Sequence, residues 1–233
     1  MNNIKRIIPA LLFVIFNVAA VFSQPAFGVK GGLSLSNFWG DGVDAFHDRE
    51  NIAAFEIDKI KGGVLPFVSG GIFLRFDIIP SFLSIQPELL YMRQGENWKL
   101  KSANGNKNIS IHVDYLTVPV CAKLMIPFEN LPLTSSIYAG PALSLRLRAH
   151  AKNIDALPDL HHHSMPDWGK NITNKVNPLD LGLAAGVNMD IASGPGEVVI
   201  DFRFQWGFIE VFEMNKDFRN YSFVIMAGYQ IFL

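Results

Sequence analysis

The chain is poor in charge, in cysteine and, beyond its N-terminus, in long apolar runs. Charged residues make up 18% of its 233 positions, whereas soluble domains carry roughly 25%. The formal net charge of −1 excludes a strongly basic surface for nucleic acid. A single cysteine, Cys121, excludes an internal disulfide. The mean hydropathy of +0.22 is high for a soluble protein and too low for a bundle of membrane helices.

The N-terminus has the composition of an export signal. Lys5 and Arg6 give it a positive start, and the apolar run Ile7–Phe22 follows them. This run is shorter than the roughly 20 residues that a spanning helix needs, which favours a cleaved signal over the alternative of a retained membrane anchor. We therefore predict cleavage between Ser23 and Gln24.

After this segment, apolar and polar residues alternate with a period of two, which is typical of β-strands. The stretch from Val198 to Phe208 is the clearest example. One face carries Val198, Ile200, Phe202, Phe204, Trp206 and Phe208. The other face carries Asp201, Arg203, Gln205 and Gly207. Eight segments alternate in this way, at 27–38, 67–78, 82–95, 109–126, 137–148, 179–192, 198–208 and 221–233.

The two faces of these segments indicate strands that lie in lipid. One face is almost purely apolar and the other mixes glycine, serine and charge, as in a barrel whose exterior contacts lipid. The long connections are 39–62, 96–108 and 149–177, and they alternate with the short connections 79–80, 127–132 and 193–196. The sequence therefore predicts a signal peptide at residues 1–23 and, at residues 24–233, an eight-stranded antiparallel up-and-down transmembrane β-barrel with its long loops outside the cell.

Three prolines, Pro87, Pro119 and Pro141, fall inside predicted strands. A closed barrel has no free edge on which to place them. We predict that β-bulges accommodate these prolines.

The order of several short segments resembles the PorT-like outer-membrane β-barrel family of Bacteroidetes-type bacteria. The segments are 27–38 (FGVKGGLSLSNF), 86–91 (QPELLY), 115–120 (YLTVPV), 138–141 (YAGP), 180–182 (DLG), 202–204 (FRF) and 228–232 (GYQIF). Thr117 departs from the family pattern, which commonly has an acidic residue there. The resemblance implies an outer-membrane barrel that tolerates the same prolines, and it implies little about activity. One branch of the family serves a protein-secretion apparatus.

The polar strand faces carry charges that point into the predicted barrel. Six of them are expected at similar depth near its periplasmic end: Lys30, Arg75, Asp77, Lys123, Asp190 and Asp201. Because side chains fill an eight-stranded barrel and buried charges must pair, we predict a neutralising network. An ion or proton path is the alternative.

Two further patterns could carry chemistry. His161, His162 and His163 in the third long connection are possible ligands for Zn²⁺ or Cu²⁺, although adjacent loop histidines are more typical of an adventitious site. Ser144, His150 and Asp180 are the residue types of a nucleophile, base and acid, but no nucleophile-elbow motif accompanies them. We predict neither a metal, nor a cofactor, nor catalysis.

Three function classes follow from this reading. We favour a non-enzymatic outer-membrane barrel with a structural or interaction role, whose partners are the membrane lipid and other envelope or secretion proteins that contact its external loops. The alternatives are a narrow pore for small solutes and a lipid-modifying enzyme. No nucleic-acid partner is expected.

Overall fold

The computed structural model describes residues 23–41, 43, 50–52, 57–102, 107–128, 131–152, 171–212 and 218–233. Their secondary structure is almost entirely β. The strands are β1 (Ser23–Trp39), β2 (Glu50–Ile52), β3 (Ile57–Ile79), β4 (Leu83–Ser102), β5 (Lys107–Pro127), β6 (Leu133–Lys152), β7 (Leu179–Ser193), β8 (Gly196–Gly207) and β9 (Arg219–Phe232). A 3₁₀ turn covers Thr173–Lys175. The predicted signal peptide lies outside the described residues except for Ser23. Among the described residues, no helix is long and apolar enough to cross a membrane.

The sheet closes on itself. Each long strand pairs antiparallel with its neighbours in the chain, and β1 pairs with both β9 and β3. Leu33 of β1, for example, lies opposite Val68 on one side and Ile225 on the other. The short strand β2 pairs only with the start of β3 and stands outside the ring. The ring order is therefore β1-β9-β8-β7-β6-β5-β4-β3, and the predicted eight-stranded antiparallel barrel is confirmed.

The two ends of the barrel differ in their connections. At one end, which we call the turn end, β1 begins, β9 ends, and three short turns join β3 to β4, β5 to β6 and β7 to β8. Two of these turns contain a residue with positive φ, Ser81 at 59° and Gly194 at 64°. The opposite end, which we call the loop end, carries the longer connections.

At the loop end, β3 and β4 extend seven to ten residues further than the sequence predicts, and β5 and β6 extend two to four residues further. β3 to β6 are 20 to 23 residues long, whereas β7 to β9 have 12 to 15. We call β3–β6 the tall wall and β7–β9 the short wall. The predicted connection 96–108 is largely strand, and the connections 39–62 and 149–177 are shortened by the start of β3 and the end of β6. The prediction was wrong there because it required the apolar face to stay on one side of the strand.

An apolar belt surrounds the barrel. Large apolar side chains with 38% to 69% exposure occur on all eight strands of the ring. Members include Leu33, Val68, Leu89, Tyr91, Val120, Leu124, Leu143, Leu145, Leu181, Leu183, Phe202, Trp206, Phe223 and Ile225. In β8 the predicted faces are confirmed, because Asp201, Arg203 and Gln205 are buried while Phe202 and Trp206 are exposed.

The tall wall reverses this arrangement above the belt. In β5, Val120 and Leu124 face outward and Lys123 faces the lumen, but nearer the loop end Ile111 and Val113 are the buried residues. A register shift between β5 and β6, at Asp114 and Tyr115, accompanies the change. The extended part of the tall wall therefore has the apolar-inside pattern of a soluble protein.

The three prolines occupy regular strand positions. Pro87 lies opposite Val120, and Pro119 lies opposite Ala142, with the same register on either side. Pro141 lies in the continuous register between β6 and β7. The predicted bulges are therefore wrong. Each proline removes one N–H from the ladder, and the unbroken pairing around it holds the register.

Candidate functional site: the filled lumen

A group of four charges and one tyrosine meets in the middle of the lumen. We call Lys30, Glu88, Tyr138, Asp201 and Arg203 the central network. The Nζ of Lys30 lies 2.9 Å from Glu88 Oε1 and 2.6 Å from Asp201 Oδ2. The Nη2 of Arg203 lies 2.8 Å from the same Glu88 oxygen. The side chains of these four charged residues are at most 1% exposed, so the charges neutralise one another away from bulk water.

Tyr138 completes the central network from a fourth strand. Its hydroxyl donates a hydrogen bond to Asp201 Oδ1 and accepts one of 3.0 Å from Arg203 Nε. The arginine also lies over the tyrosine ring, 5.3 Å from its centroid. A glycine on the neighbouring strand makes room, because a Cβ on Gly186 would lie 2.6 Å from the hydroxyl oxygen. The small residue therefore permits the large one to reach across the lumen.

A second group lies closer to the turn end. We call Arg75, Asp77, Lys123, Asp190 and Glu197 the turn-end network. The guanidinium of Arg75 lies 3.2 Å from Asp77, 3.6 Å from Asp190 and 3.2 Å from Glu197. The Nζ of Lys123 lies 3.5 Å from Asp190. Amide side chains complete it, with Lys123 donating to Gln86 and Asn188 at 3.1 and 3.0 Å and Gln230 donating to Glu197 at 2.5 Å.

These contacts reach across the full diameter of the barrel. In a ring of eight strands, β4 lies opposite β8, and β3 lies opposite β7. Glu88 and Arg203 join the first pair of strands, and Arg75 and Asp190 join the second. A third contact, the 3.1 Å hydrogen bond from Asn220 to Tyr115, joins β9 to the opposite strand β5. Side chains therefore block the lumen at three levels.

The six charges predicted from the sequence are divided between the two networks. The structure places Lys30 and Asp201 in the central network and Arg75, Asp77, Lys123 and Asp190 in the turn-end network. It does not bring all six together. Depth was judged from position along each strand, and barrel strands are tilted by about 35–45°, so residues near corresponding strand positions end at different heights.

Sequence reasoning omitted three ionic members of these networks from the predicted set: Glu88, Glu197 and Arg203. All three share a strand face with a predicted charge or with a polar residue that contacts one. Arg203 is two residues from Asp201, and Glu88 is two residues from Gln86. The alternation did place Glu88 and Arg203 on the face that points into the barrel, but it could not show which cation each carboxylate meets.

The loop end of the lumen is filled by apolar side chains. We call this cluster the loop-end core; it comprises Phe38, Val43, Trp98, Ile109, Ile111, Val113, Tyr115, Ala149, Ala151, Ile172, Val176, Val211, Phe212 and Phe218. Phe38, Phe212 and Phe218 contact one another edge to face, with centroids 5.6 to 6.4 Å apart. Sequence reasoning missed this core. Ile109, Ile111 and Val113 have the same parity as Thr117, Cys121 and Lys123, and that change from polar to apolar on one face was the available signal.

The residues considered for catalysis are not assembled. Ser144 faces the lumen, where its hydroxyl lies 3.0 Å from that of Thr117. Asp180 is opposite Ser144 in the sheet and accepts a hydrogen bond from the N–H of Ile209. His150 lies on the outer face instead, stacked on His112 with centroids 5.8 Å apart.

The candidate metal ligands His161, His162 and His163 lie outside the described residues. Within the part of the chain that the structure describes, no group of three or more histidine, cysteine, aspartate or glutamate side chains is arranged to hold a metal ion.

Comparison with known proteins identifies the family. The model of the family described as outer membrane protein beta-barrel domain matches residues 22–213. No curated protein sequence matches the chain significantly. Among solved structures, the chain is similar to the outer membrane protein OprG from Pseudomonas aeruginosa, with 10% identity, a TM-score of 0.46, and coverage of 90% of this chain and 97% of that one.

Two other solved barrels are similar in the same way. Neisserial surface protein A shares 14% identity with a TM-score of 0.44, over 88% of this chain and 97% of that one. The translocator domain of the autotransporter NalP from Neisseria meningitidis shares 11% identity with a TM-score of 0.28, over 97% of each chain. The family match spans most of the chain and agrees with the closed barrel and its apolar belt, so the chain belongs to the outer membrane protein beta-barrel domain family and is a β-barrel protein of the bacterial outer membrane.

Proposed function

We propose that this protein is a plugged, non-catalytic barrel with a structural or interaction role in the outer membrane, and that its loop end is the working surface. In this proposal a signal peptide directs export, and the loop end faces the outside of the cell, as the longer loops do in barrels of this kind. Other envelope proteins, including components of a secretion apparatus, are the class of partner that the loops would contact.

The observation that carries the proposal is the filling of the lumen. Glu88 and Arg203 meet across the diameter with side chains that are not exposed, and the loop-end core closes the lumen above them. Separating a buried ion pair to let a solute pass would leave uncompensated charges, which costs several kcal/mol. A barrel built in this way is suited to act through its outer surfaces rather than through a pore.

Conductance across a planar bilayer tests the plug. The purified wild-type barrel should give no steady single-channel current. A triple variant, Glu88→Ala, Tyr138→Ala and Arg203→Ala, removes the central network and should still not conduct, because the turn-end network and the loop-end core continue to block the lumen. The matched control carries Leu143→Ala, Leu181→Ala and Ile225→Ala on the outer face and should remain closed. Steady current through the wild-type protein contradicts the plugged barrel, whereas current through the triple variant alone assigns the plug to the central network.

Three further experiments test the other parts of the proposal. Mass spectrometry of protein purified from outer membranes should find an N-terminus within a few residues of Gln24, and an intact Met1 would contradict signal cleavage. Crosslinking through the loop end, followed by co-purification, should recover envelope proteins. For the non-catalytic role, membrane lipid composition should be unchanged by His150→Ala, and a change in lipid turnover would favour an enzyme.

A further inference from the structure

The outer face of the tall wall changes from apolar to cationic immediately above the belt. On β4 the belt ends with Leu89 and Tyr91, and Arg93 is the next outward residue of this strand. On β6 it ends with Leu145 and Leu147, and Arg148 follows. The two arginines flank Asp114 of β5 in the sheet. The cationic surface is therefore continuous with the surface that contacts lipid.

More cations follow along the same face towards the loop end. Lys152 is exposed and lies opposite Ser110, two positions beyond the His112–His150 pair. Lys61 and Lys99 are both exposed and lie directly opposite each other on β3 and β4. Like charges in facing positions destabilise a sheet, so this arrangement is unfavourable unless an anion lies between them.

Among the residues of this face whose side chains the structure describes, five cations stand against one carboxylate. The cations are Arg93, Lys61, Lys99, Arg148 and Lys152, and the carboxylate is Asp114. Arg93 Nε and Nη2 lie 2.5 and 3.2 Å from the oxygens of Asp114. That ion pair orients Arg93 and neutralises it, which leaves four exposed cations to meet anions from outside the protein.

The short wall is different at the top of its belt. There, and on the neighbouring strand β1, the outward residues are aromatic. The ring centroids of Trp39 of β1 and Trp206 lie 5.2 Å apart, and those of Trp206 and Phe208 lie 5.8 Å apart. Arg219 lies over the Trp39 ring, 5.0 Å from its centroid. Aromatic residues at this level are typical of the headgroup region of a membrane. The tall wall thus presents cations where the short wall presents aromatic rings.

The height of the cationic face indicates the kind of lipid. Arg93 and Lys99 are six residues apart, which is about 20 Å along a strand and about 15 Å of height at a tilt of about 40°. A phospholipid headgroup layer adds only about 5–8 Å to each side of the hydrocarbon core. A headgroup that reaches both Arg148 and the Lys61–Lys99 pair must be taller, as a phosphorylated sugar headgroup is.

We propose that the outer face of the tall wall binds outer-leaflet lipids whose sugar headgroups carry phosphate. Arg148 and Lys152 contact phosphates close to the acyl chains, and Lys61 and Lys99 contact phosphates further along the sugar. Charge-assisted hydrogen bonds from arginine and lysine to phosphate oxygens supply the attraction. This inference goes beyond the proposed function, because it concerns the exterior of the barrel and does not depend on whether the lumen conducts.

The test compares variants on two lipids. The purified barrel in zwitterionic detergent micelles is titrated with lipopolysaccharide that carries phosphate on lipid A and on the inner core, and with the same material after dephosphorylation. EDTA is present to remove bridging divalent cations. The wild-type protein should bind the phosphorylated form at least tenfold more tightly. Lys61→Gln with Lys99→Gln should weaken that binding by about tenfold or more, since each surface cation contributes about 1 kcal/mol.

The controls separate the possible outcomes. Lys175→Gln, which removes an exposed cation of the 3₁₀ turn and not of the strands that form this face, should bind as the wild type does. Migration of each variant as a folded barrel in unheated gel samples shows that the variants still fold. The double variant should leave the binding of lipid A without core sugars unchanged, whereas Arg148→Gln with Lys152→Gln should weaken it.

Three results would overturn the proposal. The first is equal affinity for the phosphorylated and dephosphorylated forms, and the second is binding that occurs only when EDTA is left out. The third is competition for the binding site by millimolar inorganic phosphate that is as strong as competition by the lipid. A plugged wild-type barrel in the conductance experiment is compatible with any of these, so the two proposals can fail separately.

Discussion

The lower and upper parts of the tall wall are built on opposite plans. In β5, the lower part places Val120 and Leu124 outside and Lys123 inside, whereas the upper part places Asn108 and His112 outside and Ile111 inside. The strand, the sheet and the neighbouring strands are the same throughout. The surroundings change from lipid to water along the strand, and the apolar residues accordingly lie on the inner face above the belt instead of the outer one.

Side chains fill both halves of the lumen, but different interactions stabilise the two halves. The lower half is held by ion pairs such as Glu88–Arg203, which must be matched because they lie in a site shielded from water. The upper half is held by the burial of apolar side chains such as Trp98, which is 2% exposed. Substitutions in the lower half should therefore lower the free energy of unfolding when they leave a buried charge without a partner. Substitutions in the upper half should lower it when they remove apolar volume.

The largest effect is expected from breaking the central network. Arg203→Met leaves Glu88 and Asp201 with only Lys30 as a cation, and should lower the free energy of unfolding by about 3–5 kcal/mol because it strands a buried charge. Urea unfolding of the barrel in lipid vesicles measures this. The double variant Glu88→Leu with Arg203→Met restores neutrality and should recover part of the loss. If the double variant loses as much unfolding free energy as the single variants Glu88→Leu and Arg203→Met lose together, charge pairing does not hold the lower half.

The second prediction tests where lipid ends along β5. Val120→Arg places a cation in the middle of the belt on β5 and should cost about 2–4 kcal/mol of stability, because arginine near the midplane of the lipid face is unfavourable. Asn108→Arg makes the same change on the outer face above the belt and should alter stability by less than about 0.5 kcal/mol. The same urea titration compares them. Similar losses in both variants would place the upper wall in lipid as well.

The third prediction concerns pH and Glu96, a buried residue five positions beyond the belt on β4. Burial raises the pKa of Glu96 from its ordinary value of 4.5 to about 7, although hydrogen bonds from Trp98 and the backbone of Phe38 oppose the shift. The folded state therefore holds this proton more tightly than the unfolded state. The free energy of unfolding that the neutral carboxyl contributes is fully present below pH 4.5 and is lost as the pH rises through 7.

Between about pH 5 and about pH 8, the wild type should lose about 2 kcal/mol of unfolding free energy through this group. Glu96→Gln keeps the shape without the titration and should flatten the profile over that range. Unfolding free energies of both proteins at several pH values provide the measurement. An identical slope in the variant would assign the pH dependence to other groups.

The smallest expected effect separates the loop-end core from the belt. Ile111→Val removes one methylene from packed apolar surroundings and should cost about 0.5–1.5 kcal/mol. Ile126→Val removes the same group from the exposed outer face, where lipid can fill the space, and should cost less. Equal losses in the two variants would show that the upper lumen is not packed as a core.

Much of the barrel follows from one strand pattern. The alternation from Val198 to Phe208 specifies which residues of β8 face outward, because a side-chain period of two leaves only two choices and lipid selects the apolar one. The charges on the other face, such as Asp201 and Arg203, then have to point inward. The number of strands and the alternation of short turns with long connections were readable for the same reason.

The extent of β3 and β4, and the change to an apolar inner face above the belt, were harder to predict. Ile109, Ile111 and Val113 alternate as well as any lower segment, but their apolar face is the inner one. A period of two has the same appearance in either orientation, so recognising the reversal required knowing where lipid gives way to water. The bulges assigned to Pro87, Pro119 and Pro141 were wrong because neighbouring pairs hold the register despite the missing N–H.

The sequence by itself determined the class of fold and the face of each residue within the belt, because both depend only on local alternation between apolar and polar side chains. Only the tertiary structure decided which charges become partners. Glu88 and Arg203 are 115 residues apart in the chain, and they meet because closure of eight tilted strands places β4 opposite β8. The loop-end core and the cationic outer face of the tall wall likewise required closure, since each combines residues from several strands whose relative heights are set by the register of the whole barrel.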